Sequence, residues 1–113
     1  MKTITIIVSK GAILGNIEGP RQVFTEANSF LERMGQQPMF KIQLAGLSEK
    51  SQLNDGLYTI STESINKIEK SDLVIIPAMY GDLGEAIENN KEFIPWIIKQ
   101  YHEGSEVASL CLG

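Results

Sequence analysis

The segment SLCLG, Ser109–Gly113, contains the only cysteine of the chain. A thiolate is both a nucleophile and a redox centre, and its reactivity follows its pKa. The run that leads to Cys111, EVASLC, reads as the last strand, so the thiol falls at a strand end. Two environments suit it there: the open mouth of a sheet, or a tightly packed core where cysteine behaves as a small hydrophobe. The pattern by itself leaves these two even. A catalytic thiol would also need an acid or base and donors for an oxyanion. The single histidine, His102, falls near the end of the helical segment KEFIPWIIKQYHEG, which places it at the sheet edge opposite Cys111 and in solvent. One Cys and one His so far apart make no metal-ligand set, and no metal or other cofactor is expected. GAILGNIEG lacks both the G-x-G-x-x-G spacing and the Lys-Ser/Thr ending of a nucleotide loop.

These residues must be positioned by strands and helices, and the hydrophobic pattern indicates which. TITIIVS, residues 3–9, is β-branched and almost continuously apolar, as a central parallel strand covered on both faces should be. KGAILGNIEGP reads as a loop, with Pro20 opening a helix. Val23, Phe24, Ala27, Phe30, Leu31 and Met34 recur at helical spacing and predict one buried face, with Gly35 as the stop. FKIQLAG alternates and predicts a second strand. Asn54-Asp55-Gly56 predicts a tight turn with LYTIST as a hairpin arm, and SINKIEKSD a brief helix or turn. LVIIP predicts another central strand closed by Pro77. A short helix follows in AMYGDLGEAIENN, then the stronger helix with Phe93, Trp96, Ile97 and Tyr101 on one side. EVASLC is the last strand.

The order β-α-β-hairpin-β-α-β is that of an α/β domain with a parallel sheet and helices on both faces. Ligands in such sheets sit beyond the carboxyl ends of the strands. The loops at those ends are 10–19, 77–82 and 111–113, so a site must be assembled from them.

Composition agrees with one ordinary domain. The chain has 113 residues, 42% hydrophobic and 21% charged, which excludes disorder. Its net charge of −4 disfavours a nucleic-acid surface, which needs a basic stripe. The apolar N-terminal run is too short to span a membrane. A lone cysteine suits a reducing, cytoplasmic compartment.

Three segments together resemble the ThiJ/PfpI family, within the class I glutamine amidotransferase-like superfamily. VASLCLG resembles its nucleophile elbow, a strand leading to a cysteine on a sharp turn and then to a helix. EGPRQVFTEAN resembles the GP-x-x-VF-x-x-AN run of the branch that forms the N-terminal domain of AraC-type transcriptional regulators. DLVIIPAMYGD resembles the third segment, where the family has two glycines after the proline. The resemblance implies a flavodoxin-like three-layer sandwich with a mainly parallel sheet. In the family a helix and further strands follow the elbow. The expectation is therefore that residues 1–113 are the N-terminal part of a larger domain continuing beyond the chain end.

The resemblance also places the site. Family enzymes carry an acid four positions before the proline, where this chain has Asn16, an amide that neither takes nor gives a proton at neutral pH. Glu18 lies two positions before Pro20; it is a substitute acid or simply a carboxylate favoured near a helix N-terminus. Oxyanion donors come from the backbone after the strand-ending proline, here Ala78-Met79, and from the residue after the cysteine, here Leu112. Met79 and Tyr80 suit a pocket wall. These departures favour a ligand-sensing regulatory domain of an AraC-type regulator, with a non-catalytic pocket around Cys111. Its partners would be a small molecule, a second copy in a homodimer, and DNA only through a downstream domain. The alternative is a stand-alone cysteine-dependent enzyme of hydratase, glyoxalase or amidase type with Cys111 as nucleophile. A third possibility is redox sensing by the thiol.

Overall fold

The computed structural model describes residues 1–110. Cys111, Leu112 and Gly113 lie outside the described residues. Strand β1 (Lys2–Ile7) leads to helix α1 (Leu14–Arg33). Strand β2 (Phe40–Gly46) follows, then the arms β3 (Lys50–Leu53) and β4 (Tyr58–Ser61), a two-residue strand β5 (Glu63–Ser64) and a 3₁₀ turn (Ile65–Lys67). Strand β6 (Leu73–Ile76), helix α2 (Leu83–Asn89), a second 3₁₀ turn (Lys91–Phe93), helix α3 (Ile94–His102) and strand β7 (Glu106–Ser109) complete the order.

The five-stranded sheet runs β5-β2-β1-β6-β7, and every adjacent pair is parallel. β1 is its centre: Ile4 pairs with Ile42 on one side and Leu73 on the other. Ile4, Ile6 and Val8 face a core closed by Ile17 of α1 and Leu53 of the hairpin. Ile7 faces the opposite core, closed by Phe93, Trp96 and Ile97. Helices therefore cover both faces, and the architecture is the expected three-layer α/β sandwich. Continuous apolar runs mark β1 and β6 because parallel strands at the centre are buried on both sides. β3 and β4 pair antiparallel, apart from the main sheet, around a turn in which Asn54 and Asp55 both have positive φ and Leu57 N–H donates to the Asn54 carbonyl at 3.0 Å.

Two expectations for α1 need correction. The helix begins at Leu14, so Pro20 lies inside it rather than at its start. Ile17 explains the early start, since only a helical first turn carries its side chain into the core, where it is 1% exposed. Gly19 eases the step into Pro20, because it removes the Cβ part of the crowding that a residue before proline meets. The six-residue apolar face is split. Phe24 meets Phe40 edge to face at 4.9 Å, and Ala27 and Leu31 are half-buried. Val23, Phe30 and Met34 are exposed at 66, 55 and 57%. Neighbours on a helix point about 100° apart, so Val23 and Phe24 cannot share one narrow contact stripe. Gly35 does end the helix: its N–H bonds the Glu32 carbonyl at 3.0 Å and Gln36 N–H bonds that of Leu31 at 2.9 Å.

The face expected of α3 is also corrected at one position. Tyr101 is exposed, and Gln100 is buried instead. Gln100 Oε1 accepts from Ser71 N–H at 2.8 Å and Nε2 donates to the Glu69 carbonyl at 3.1 Å. Ser105 Oγ joins this network through the Ser71 carbonyl, and Thr5 Oγ1 donates to Ser71 Oγ at 2.7 Å. A buried amide is stable where its polar atoms are all occupied, and here it ties α3 to the amino ends of β6 and β7.

Gly46, the last residue of β2, has no room for a side chain. A Cβ there would collide with Ser51 Oγ and lie 2.7 Å from Thr62 Oγ1 and 3.1 Å from Thr62 Cβ. Those hydroxyls hydrogen-bond each other at 3.1 Å and brace the segment that carries the hairpin. Gly46→Ala is expected to lower stability by about 1–3 kcal/mol, the usual cost of overpacking, with urea denaturation as the measurement. An unchanged midpoint would show that the hairpin base gives way freely.

Candidate functional site

The loops after β1 and β6 meet at the carboxyl end of the sheet. Ala12 and Met79 form an isolated antiparallel bridge. Ile13 N–H donates to the Ala78 carbonyl at 2.9 Å, and Tyr80 N–H to the Gly11 carbonyl at 2.8 Å. Gly11 has φ +80, a conformation that side chains rarely tolerate, and this turn brings the first loop against the second. Ala12 is wholly buried and Ala78 is 7% exposed. Backbone buried so deeply must be hydrogen-bonded, and the two loops satisfy each other.

Two asparagines complete the junction. Asn16, in the first turn of α1, accepts the Ala78 N–H on Oδ1 at 3.1 Å. Asn90, just past α2, accepts Lys10 N–H on Oδ1 at 2.7 Å and donates from Nδ2 to the Lys10 carbonyl at 3.0 Å. Its Nδ2 also lies 2.9 Å from the Ala86 carbonyl and 3.3 Å from Met79 Sδ. An amide side chain offers one acceptor and two donor hydrogens, so it can stand in for a missing strand neighbour.

The expected site residues divide accordingly. Asn16, Ala78 and Met79 come together with Tyr80, which is 59% exposed and lines the rim. The Ala78 N–H is occupied by Asn16, while that of Met79 has no partner among the described residues. Glu18 lies on α1, turned to Arg21: Nε donates to Oε2 at 2.7 Å and Nη2 to Oε1 at 2.5 Å. The hydrogen bonds from Arg21, helped by its charge, hold the Glu18 carboxyl below the usual carboxylate range against a smaller opposing effect of desolvation. It is therefore ionised at neutral pH and stores no proton for transfer. Cys111 and Leu112 lie outside the described residues. The preceding residue, Leu110, donates its N–H to the Ile76 carbonyl at 3.0 Å, so β7 runs beside β6 up to the loop that carries Ala78. His102 ends α3 and is exposed. Among the described residues, no group of three or more His, Cys, Asp or Glu side chains could hold a metal ion.

An open cleft of about 660 Å³ lies beside this junction, between Lys10, Gly11 and Tyr80 on one side and Gln52, Asn54 and Asp55 of the hairpin on the other. Inspection of the sequence does not single out Asn90 or the hairpin wall. Asn90 lies far along the chain in a polar run, ENNKE, that resembles any solvated helix end.

No protein-family model matches the chain, and no curated protein does. Solved structures do. A protein of Vibrio parahaemolyticus described as a transcriptional regulator aligns over 96% of the chain and 55% of its own length, with a TM-score of 0.76 and 15% identity. An AraC family transcriptional regulator from Pseudomonas putida aligns over 96% of the chain and 55% of its own, with a TM-score of 0.64 and 12% identity. A DJ-1 superfamily protein from Agrobacterium tumefaciens aligns over 98% and 54%, with a TM-score of 0.66 and 17% identity. The chain thus spans about half the length of these structures.

Two measurements test the junction. Asn90→Ala removes the acceptor of the Lys10 N–H and is expected to cost about 1 kcal/mol in urea denaturation; a loss within error would show that water replaces the amide freely. The Glu18 carboxyl, being the stronger acid in the folded state, contributes stability fully above the ordinary carboxylate range, and that contribution fades as pH falls through its lowered pKa. Arg21→Ala is expected to return the Glu18 titration to the ordinary range in an NMR pH series, and an unmoved titration would rule out Arg21 as the cause. With its central parallel sheet, two covering layers and paired loops at the carboxyl edge, the chain has the fold shared by DJ-1/ThiJ/PfpI domains and AraC-type regulator structures.

Proposed function

We propose that residues 1–113 are the N-terminal part of a ligand-sensing regulatory domain of an AraC-type transcriptional regulator, working in the cytoplasm as a homodimer. A small molecule would bind at the carboxyl edge of the sheet near Cys111, against Met79 and Tyr80, without being chemically transformed. DNA would be contacted by a separate domain, since this chain carries a net charge of −4. The observation that carries this proposal is the hydrogen bond from Ala78 N–H to Asn16 Oδ1 at 3.1 Å. By the family resemblance, Asn16 stands at the position where a thiol enzyme of this fold carries an acid, and an amide there does not ionise. It also engages one of the backbone donors such an enzyme would aim at an oxyanion. Glu18, the other carboxylate in reach by sequence, is committed to Arg21.

The test uses the full-length protein. It is expected to carry a basic helical domain outside residues 1–113 and to bind its own promoter DNA in a mobility-shift assay, with Cys111→Ser retaining that binding. Absence of any DNA-binding domain would overturn the proposal. So would a thiol-dependent turnover of glyoxals, isonitriles or amides that Cys111→Ser abolishes.

A further inference from the structure

We propose that a second cleft, between the hairpin and the turn before α3, is a binding site for a small organic carboxylate with a short apolar tail. The cleft has a volume of about 270 Å³, and its lining includes Ser9, Lys10, Lys50, Val8, Leu47 and Phe93. It touches the Tyr80 cleft through Lys10 and Gln52, yet has its own floor.

That floor carries the decisive feature. Ser9 is 2% exposed, and its hydroxyl is buried with no hydrogen-bond partner among the described residues. Leaving such a group unpaired costs about 1–3 kcal/mol, and native proteins rarely do so without cause. Ser9 follows β1 directly, and its carbonyl accepts the Ala12 N–H at 3.1 Å, so its backbone is held in place. The next residue, Lys10, is held through both backbone polar groups by Asn90. The backbone of both residues is thus held before any ligand arrives, which reduces the ordering cost of binding.

The charges indicate the sign of the ligand. Among the described residues Lys10 and Lys50, like Lys2, Lys41, Lys70 and Lys99, have no ion-pair partner, and these two are the ones that line the cleft. Two unpaired ammonium groups at one cleft in a chain of net charge −4 select an anion. The opposite wall selects its body. Val8, Leu47 and Phe93 are apolar, and the cleft is larger than a bare inorganic anion needs. A carboxylate head can accept from the lysines, and from Ser9 Oγ–H once that side chain rotates toward the cleft, while a short hydrocarbon lies on Leu47. This site stands whether or not the chain senses ligands for a regulator.

Hexanoate serves as the probe, with 1-hexanol and inorganic phosphate as controls, in NMR titrations of the protein. Saturable hexanoate binding with a Kd of about 1 mM or tighter is expected, shifting the amides of Ser9, Lys10 and Lys50. Ser9→Ala and Lys50→Gln are each expected to weaken it about tenfold while leaving the amide spectrum of the rest of the fold unchanged. No saturable hexanoate binding would overturn the proposal. Equal binding of phosphate or of hexanol would overturn it as well, by removing the need for the tail or for the charge. So would a Ser9→Ala variant that is more stable and binds hexanoate unchanged, because the hydroxyl would then be only a packing defect.

Discussion

Everything in this fold is arranged around β1, which is buried on both faces and hydrogen-bonded along both edges. Ile4, Ile6 and Ile7 are at most 3% exposed, and β2 and β6 flank the strand. A strand in that position cannot end freely. Val8, Ser9 and Ala12 remain buried past the end of β1, so their backbone groups still need partners. Val8 N–H still reaches the Ala45 carbonyl at 2.8 Å. Beyond it the chain must turn at Gly11 and pair with the loop after β6. The loop junction at the carboxyl edge is the consequence of that need.

Asparagine supplies much of the solution. Asn16 holds the second loop, Asn90 holds the first, and Asn28 holds the entry to β2. Asn28 Oδ1 accepts from Met39 and Phe40 N–H at 2.9 and 3.0 Å, and Nδ2 donates to the Phe40 carbonyl at 2.7 Å. Each amide imitates a peptide group where the main chain lacks one. Asn28 closes the motif GP-x-x-VF-x-x-AN, so a recurrent sequence feature has here a structural role: it fixes the loop between α1 and β2.

The same economy shapes the chemistry. Asn16 and Ala78 satisfy each other, and Glu18 and Arg21 satisfy each other, which leaves a rim of Lys10, Tyr80 and hairpin residues facing solvent. Polar groups committed to holding loops are not free to move protons. The fold itself is found in both DJ-1 superfamily proteins and transcriptional regulators.

β1 and β6 were legible in the sequence because their burial is written in unbroken apolar, largely β-branched runs, and β2 spans Phe40–Gly46 as its alternation indicates. The turn at Asn54 and Asp55, the stop at Gly35 and the place of His102 were legible for the same reason: each depends on local backbone preference. The meeting of Asn16 with Ala78 followed from topology, since parallel strands deliver both loops to one edge. Which stripe of α1 would face the sheet was not legible, because Val23 and Phe24 are equally apolar and only the packing of Phe24 on Phe40 separates them. Nor were Asn90, Gln100 and Ser9. A polar residue in a polar run carries no sign that it will be buried 80 residues away from its partner, as Asn90 is with Lys10. Sequence alone determined the order of elements, the centre of the sheet and the edge at which a site must form, since these rest on hydrophobic periodicity. Tertiary structure alone decided which polar side chains hold that edge together and which stay free to bind, since hydrogen-bond partners distant in sequence are chosen only when the layers close.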